Sequence, residues 1–173
     1  DLSEIAIAQL SEYEYGKIIR INVDTKDYEQ ISSGHRNPQG MSIHPKTRQI
    51  WTHEHGPRGG DEVNIIQPGK NYGWPIISYG INYSGTSFTD ITEKEGMEQP
   101  LMQYTPSIAP SSMIYYQGKS YPKLSNTLLL GSLSLRHLNQ VRFNKPVSEL
   151  TKGRILPHKT TKWLVDIKRR IRD

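Results

Sequence analysis

The chain has 173 residues, a hydrophobic share of 34% and a formal net charge of +5. Its longest apolar runs, such as Leu128-Leu129-Leu130, are a few residues long, far short of the roughly 20 that a spanning helix needs, so a helical membrane span is excluded. With no cysteine in the sequence, a disulfide framework, a zinc–thiolate site and a cysteine nucleophile are excluded as well.

Short strands alternate with turns rich in Gly, Pro and Asn. Residues 17–23 place Ile19, Ile21 and Val23 on one face and Arg20 and Asn22 on the other, the period-two pattern of a half-buried strand. Three motifs follow, at 34–40 (GHRNPQG), 54–62 (EHGPRGGDE) and 71–75 (NYGWP). They stand between apolar segments and are expected in loops, outside the core. Residues 41–44 and 49–53 flank Pro45-Lys46-Thr47-Arg48 and read as a β-hairpin. Residues 62–66 form the next strand, closed by Pro68-Gly69. Residues 78–100 are polar and contain Gly80, Gly85 and Gly96. They predict a long loop, and loops beyond roughly 12–15 residues are often functional. Strand signals return at 112–116, 127–131, 137–143 and 162–166, and no helix is predicted. Many short strands joined by turns suggest a sandwich, a barrel or a propeller. Propeller blades take roughly 40–50 residues each, so the spacing leaves both a sandwich and part of a propeller open.

The three motifs carry the equipment to hold an anion beside a hard cation. Arg36 offers a planar fork that grips a carboxylate bidentately and keeps its charge, with Asn37 as a neutral partner; a loop-fastening arginine is the other reading. Gly56-Pro57 can present two successive carbonyls to calcium, which takes 6–8 oxygen ligands; an ordinary tight turn is the other reading. In an extended segment Asp61 and Glu62 point to opposite sides and would not share one ligand; a solvated acidic turn is the bland reading of the pair. Arg170 and Arg172, two apart on an extended strand, share a face and could reach one anion; a basic tail over 168–172 is the competing reading. His44, His53 and His55 lack carboxylate or thiolate partners at metal-ligand spacing. The remaining basic residues are scattered and accompany no nucleic-acid-binding motif, so no nucleic-acid partner is expected.

These motifs, with Ala8-Gln9, residues 16–21, Thr105-Pro106-Ser107-Ile108-Ala109-Pro110-Ser111 and Arg170-Ile171-Arg172-Asp173, resemble the soluble glucose/sorbosone dehydrogenase family, the quinoprotein aldose sugar dehydrogenases. The resemblance covers nearly the whole chain. It implies an all-β fold, part of a six-bladed β-propeller with four-stranded antiparallel blades. Residues 1–173 would be a partial propeller domain, roughly the C-terminal half, with the family domain continuing on both sides. It also implies pyrroloquinoline quinone (PQQ) over the central axis, bound by Arg36, Asn37, Arg170 and Arg172. Calcium would be held at the carbonyls of Gly56 and Pro57, and a second, structural calcium by Glu62 and the backbone of Tyr72. The implied reaction oxidises an aldose at C1 to the lactone with hydride transfer to PQQ and onward delivery of electrons to an external acceptor. A periplasmic or secreted location and a homodimer are further family expectations.

Two positions depart from the family pattern. The general-base histidine belongs to a His-x-x-Gly-Arg motif upstream of the segment matching Ala8-Gln9, and no such motif occurs here, so no catalytic residue is assigned. Ser134 stands where many members carry a lysine facing the quinone, with Arg136 two residues on. These departures favour an alternative, a non-catalytic β-propeller binding protein related to the dehydrogenases; the retained arginines and the Gly-Pro turn favour the enzyme.

Overall fold

The computed structural model describes residues 6–144 and 158–172. Eleven strands follow a short 3₁₀ turn at Ala6–Gln9. They are β1 (Ile18–Ile21), β2 (Tyr28–Ser33), β3 (Pro38–Ile43), β4 (Ile50–Glu54), β5 (Asp61–Ile66), β6 (Lys70–Asn71), β7 (Met102–Tyr104), β8 (Pro110–Tyr116), β9 (Thr127–Ser132), β10 (Leu138–Phe143) and β11 (His158–Trp163). Among the described residues there is no α-helix.

Two sheets are four-stranded and antiparallel, ordered β3-β4-β5-β7 and β8-β9-β10-β11. Strands of each sheet pair in chain order, as turn-linked sequences favour, with β6 and the long loop intervening between β5 and β7. β3 packs beside β8, so the sheets meet along these two edges and stand as adjacent blades. A third sheet, β1-β2-β6, covers the other side of the first blade; β2 pairs with β6 in parallel.

β5 is buried on both faces and shows what holds the layers together. Val63 and Ile65 join Trp51, Leu101 and Met102 in a core shared with Leu128, Leu130 and Val141 of the second blade. Ile66, one residue on, points the other way and packs with Ile18, Ile31 and Tyr72. Alternation along β4 and β5 therefore sends Asp61 towards the second blade, and sends Glu54, Glu62 and Asn64, in facing register positions, towards the β1-β2-β6 side.

The 41–53 hairpin, the strands over 62–66, 112–116, 127–131 and 137–143, and the loop over 78–100 are found with shifted ends. Four expectations are corrected. In β1 the buried residue is Ile18, while Ile21 and Val23 are 61% and 74% exposed; a bulge between Ile18 and Ile19 shifts the register, and β1 is an edge strand. β2, β6 and β7, too polar or too short to show a period-two signal, are strands. The last strand is His158–Trp163, and Val165–Ile167 is a 3₁₀ turn. The three motifs are not outside the core: His35, Glu54, Asp61 and Tyr72 are all buried.

Candidate functional site: an arginine cleft beside a buried acidic pocket

The 34–37 turn is organised by one carboxylate. Gly34 adopts a left-handed φ of 73°, and a Cβ there would press on Asn71 and Gly73, so only glycine fits. The buried His35 sits between Ser32 Oγ at 2.8 Å and Glu54 Oε1 at 3.1 Å, and stacks on Tyr72 with ring centroids 4.7 Å apart. The other Glu54 oxygen accepts the backbone N–H groups of Arg36 at 2.6 Å and Asn37 at 3.3 Å. Burial works to raise the Glu54 pKa; the His35 contact and the two N–H groups outweigh it and hold it below the usual carboxylate range.

That anchoring aims Arg36 outward. Its Nη1 donates to the His55 carbonyl at 2.8 Å, and its guanidinium carbon lies 5.3 Å from the Trp74 ring centroid, within cation–π range. Among the described residues the other donors of its five-donor fork have no hydrogen-bond partner. Asn37 is exposed beside it, and both line a cleft of about 450 Å³ with Trp74.

The 54–62 segment bends tightly. A Cβ on Gly56 would collide with the carbonyl oxygens of Gly59 and Gly60, so glycine is required by close approach. The Gly56 N–H donates to Asp61 Oδ1 at 3.0 Å. Asp61 Oδ2 accepts from the Ser107 hydroxyl at 2.5 Å and from the N–H groups of Ile108 and Ala109, each at 2.8 Å. Asp61 is thus a fully buried hub between the Gly-Pro turn and the 107–109 loop. Alternation in an extended segment sets it on the opposite side from Glu62, and three of its four donors, 46 to 48 residues away, give no local signal.

Gly56, Pro57, Glu62 and Tyr72 all border one small pocket of about 10 Å³, together with Arg36 and Glu54. This is room for about one water-sized sphere. Asn64 Nδ2 bridges the two acids, 3.1 Å from Glu54 and 3.2 Å from Glu62. Burial, and then the Glu54 charge, push the Glu62 carboxyl up to about 8. Two carboxylates beside one small space is an arrangement that a cation relieves. Among the described residues no three His, Cys, Asp or Glu side chains gather as a metal site; an ion here would need main-chain oxygens as well, which suits a hard cation. The Tyr72 hydroxyl is committed elsewhere, donating to Ile65 O at 2.5 Å and accepting from Gln67 N–H at 3.0 Å, which leaves its backbone as the group available to an ion.

Arg170 and Arg172 are not on a strand. Residues 168–172 have no regular structure, and both side chains are exposed, so a shared strand face does not apply. Their segment is nevertheless fastened at the site end: the Ser111 hydroxyl donates to Ile171 O at 2.5 Å. One residue earlier, the Pro110 carbonyl accepts from His55 Nε2 at 2.7 Å, and His55 O takes the Arg36 bond. A short relay therefore ties both arginine motifs to the same end of the blades. Ser134 is exposed, its hydroxyl 3.1 Å from Ser107 O, and Arg136 is exposed with a φ of 55°.

The family model described as Glucose / Sorbosone dehydrogenase matches residues 1–173. The chain belongs to that family. It is 46% identical over 104 residues to aldose sugar dehydrogenase YliI of Escherichia coli (strain K12), covering 59% of this chain and 28% of YliI. It is 35% identical over 86 residues to quinoprotein glucose dehydrogenase B of Acinetobacter calcoaceticus, covering 43% of this chain and 18% of that one. The solved soluble aldose sugar dehydrogenase from Escherichia coli, in its apo-form, aligns at a TM-score of 0.82 and 32% identity, over 98% of this chain and 51% of that chain. This family member spans about half the length of the solved structures it matches. Its fold is all-β, part of a six-bladed β-propeller with four-stranded antiparallel blades.

Proposed function

We propose that this chain is part of a quinoprotein oxidoreductase that oxidises an aldose at C1 to the lactone, with PQQ and calcium as cofactors. The observation that carries the reading is the convergence of Gly56, Pro57, Glu62 and Tyr72 on one pocket that Arg36 also borders. Arg36, Asn37, Arg170 and Arg172 would bind the quinone carboxylates, and the Gly56 and Pro57 carbonyls would hold calcium beside it. Glu62 and the Tyr72 backbone would hold a structural ion, with Glu54 adjacent. PQQ supplies the hydride acceptor when bound, and calcium the Lewis acid that draws electron density from it.

The chain's own residues bind and orient. Glu54 fixes the turn that presents Arg36 and Asn37, and Asp61 fixes the turn that presents the Gly56 and Pro57 carbonyls. His35 has both ring nitrogens engaged and is not placed to take a substrate proton. His55 Nε2 donates to Pro110 O, which fastens that ring to the neighbouring blade. The base in this reading lies outside the chain, in the remainder of a propeller domain of which residues 1–173 are a part. An external electron acceptor and a periplasmic or secreted location complete the proposal.

Calorimetric titration of PQQ into the chain, with and without calcium, tests it. Binding should strengthen with calcium, and Arg36→Lys should weaken it about tenfold or more, because a point charge does not reproduce the fork. Equal affinity for Arg36→Lys and wild type, or no binding of PQQ at all, would sink the reading.

A further inference from the structure

The 3₁₀ turn at Ala6–Gln9 supplies Ile7 and Ala8 to the wall of the Arg36 cleft, beside Tyr15 and Gly16. A turn of four residues makes too few bonds to hold itself. Lys17 holds it. The Lys17 side chain is buried and joins no ion pair among the described residues. Its ammonium directs its three donors to the carbonyls of Ile7, Ala8 and Tyr15, at 3.3, 3.1 and 3.0 Å. A Cβ on Gly16 would lie 2.4 Å from that of Ala8, so the two limbs of the segment are in direct contact. The Gly34 N–H donates to Ala8 O at 3.0 Å and the His35 N–H to Gly16 O at 3.1 Å. The segment is thereby joined to the turn that carries Arg36.

Gln9 extends from this fixed turn to the 71–75 motif. Its side chain pairs amide to amide with Asn71: Gln9 Nε2 donates to Asn71 Oδ1 at 3.2 Å, and Asn71 Nδ2 donates to Gln9 Oε1 at 2.6 Å. The same Nε2 donates to the Trp74 carbonyl at 2.5 Å. The Trp74 N–H donates to Gly34 O at 2.9 Å, so both backbone groups of Trp74 are engaged. The indole then stands between two neighbours. Arg36 lies on it with the guanidinium carbon 5.3 Å from the ring centroid, and Phe88 meets it edge-on with centroids 5.2 Å apart. The bond to His55 O fixes one corner of the Arg36 fork, and the indole face sets its direction. A flexible side chain binds a ligand more weakly when only a fraction of its conformers point at it. Fixing Trp74 raises that fraction for Arg36.

We propose that Gln9 is a positioning residue for the Arg36 cleft: by fixing the Trp74 backbone it holds the indole on which the guanidinium rests, and so aims the fork at an anion. The inference rests on the quinoprotein reading for the identity of that anion, and not for the contact itself. Gln9→Glu keeps the length but sets a carboxylate against the Trp74 carbonyl and Asn71 Oδ1. Gln9→Met removes the amide and adds no charge, and it decides the matter alone if Gln9→Glu fails to fold. The first readout is the NMR resonance of the Arg36 Nε–H, identified by its absence from Arg36→Lys. In wild type it should carry the ring-current shift of a group held on an indole, and both Gln9 variants should lose that shift, as Trp74→Ala does. The second is calorimetric titration of PQQ, which should bind either variant about threefold to tenfold more weakly, the worth of one cation–π contact. Gln9→Met should add no further loss in a Trp74→Ala background. A merely structural Gln9 would lower the urea midpoint and leave both the resonance and the PQQ affinity of the folded chain at wild-type values. That result overturns the inference, as does an additive loss of affinity in the double variant. Loss of the ring-current shift in the Gln9 variants, in a protein whose wild type binds no PQQ, upholds the positioning role while overturning the quinoprotein reading.

Discussion

Glu62 and His53 pull the acid–base balance of the protein in opposite directions. His53 is fully buried in β4, and burial pushes its pKa down from 6.5 to about 4. Its contribution to stability is present above pH 6.5 and is lost as pH falls towards 4. The Glu62 pKa is raised from 4.5 to about 8. Its contribution is complete below pH 4.5 and is lost as pH rises through 8, because the folded state holds the extra proton. Between pH 6.5 and 8 His53 is silent, and the calcium-free chain should lose melting temperature as pH rises. Glu62→Gln should flatten that slope, and saturating calcium should flatten it in the wild type, since an ion bound only to the folded state stabilises it by mass action. Thermal melts across that window check both. A wild-type melting temperature unmoved by calcium would remove the structural ion from the site.

At the level of strands, the bulge between Ile18 and Ile19 decides which isoleucine of β1 matters. Ile18→Ala opens the cluster with Ile31, Ile66 and Tyr72 and should cost about 2–4 kcal/mol. Ile21→Ala, on the exposed edge, should stay within about 0.5 kcal/mol. Urea denaturation of both variants distinguishes this from the unbroken alternation that residues 17–23 display. The hairpin over 41–53 was readable because apolar residues flank a proline turn. β2 was not, because Tyr28, Glu29 and Gln30 are exposed and its buried pair, Ile31 and Ser32, is too short to show a period. The same limit applies to the site. Arg36, Gly56 and Glu62 stand in recognisable motifs, whereas the positioning roles of Glu54 and Asp61 depend on partners brought in by folding.

For the whole molecule, Asp61 is where the two blades and the proposed metal turn meet. Asp61→Asn puts an amide nitrogen against the donors of Ser107, Ile108 and Ala109 or removes the charge that they solvate, and should cost about 3 kcal/mol or more. Ser107→Ala, which removes one of those donors, should cost about 1–2 kcal/mol. Both are measurable by urea denaturation, and an Asp61→Asn change under about 0.5 kcal/mol would show the hub to be dispensable. The hub also sets an order of assembly. Three of the four donors to Asp61 lie 46 to 48 residues further along the chain, and contacts of that separation form late because loop closure must come first. The Gly56-Pro57 turn cannot reach its final shape as a local hairpin; it waits for the 107–109 loop to arrive. Calcium uptake during refolding should then lag behind formation of the first blade and report the moment at which the second one docks.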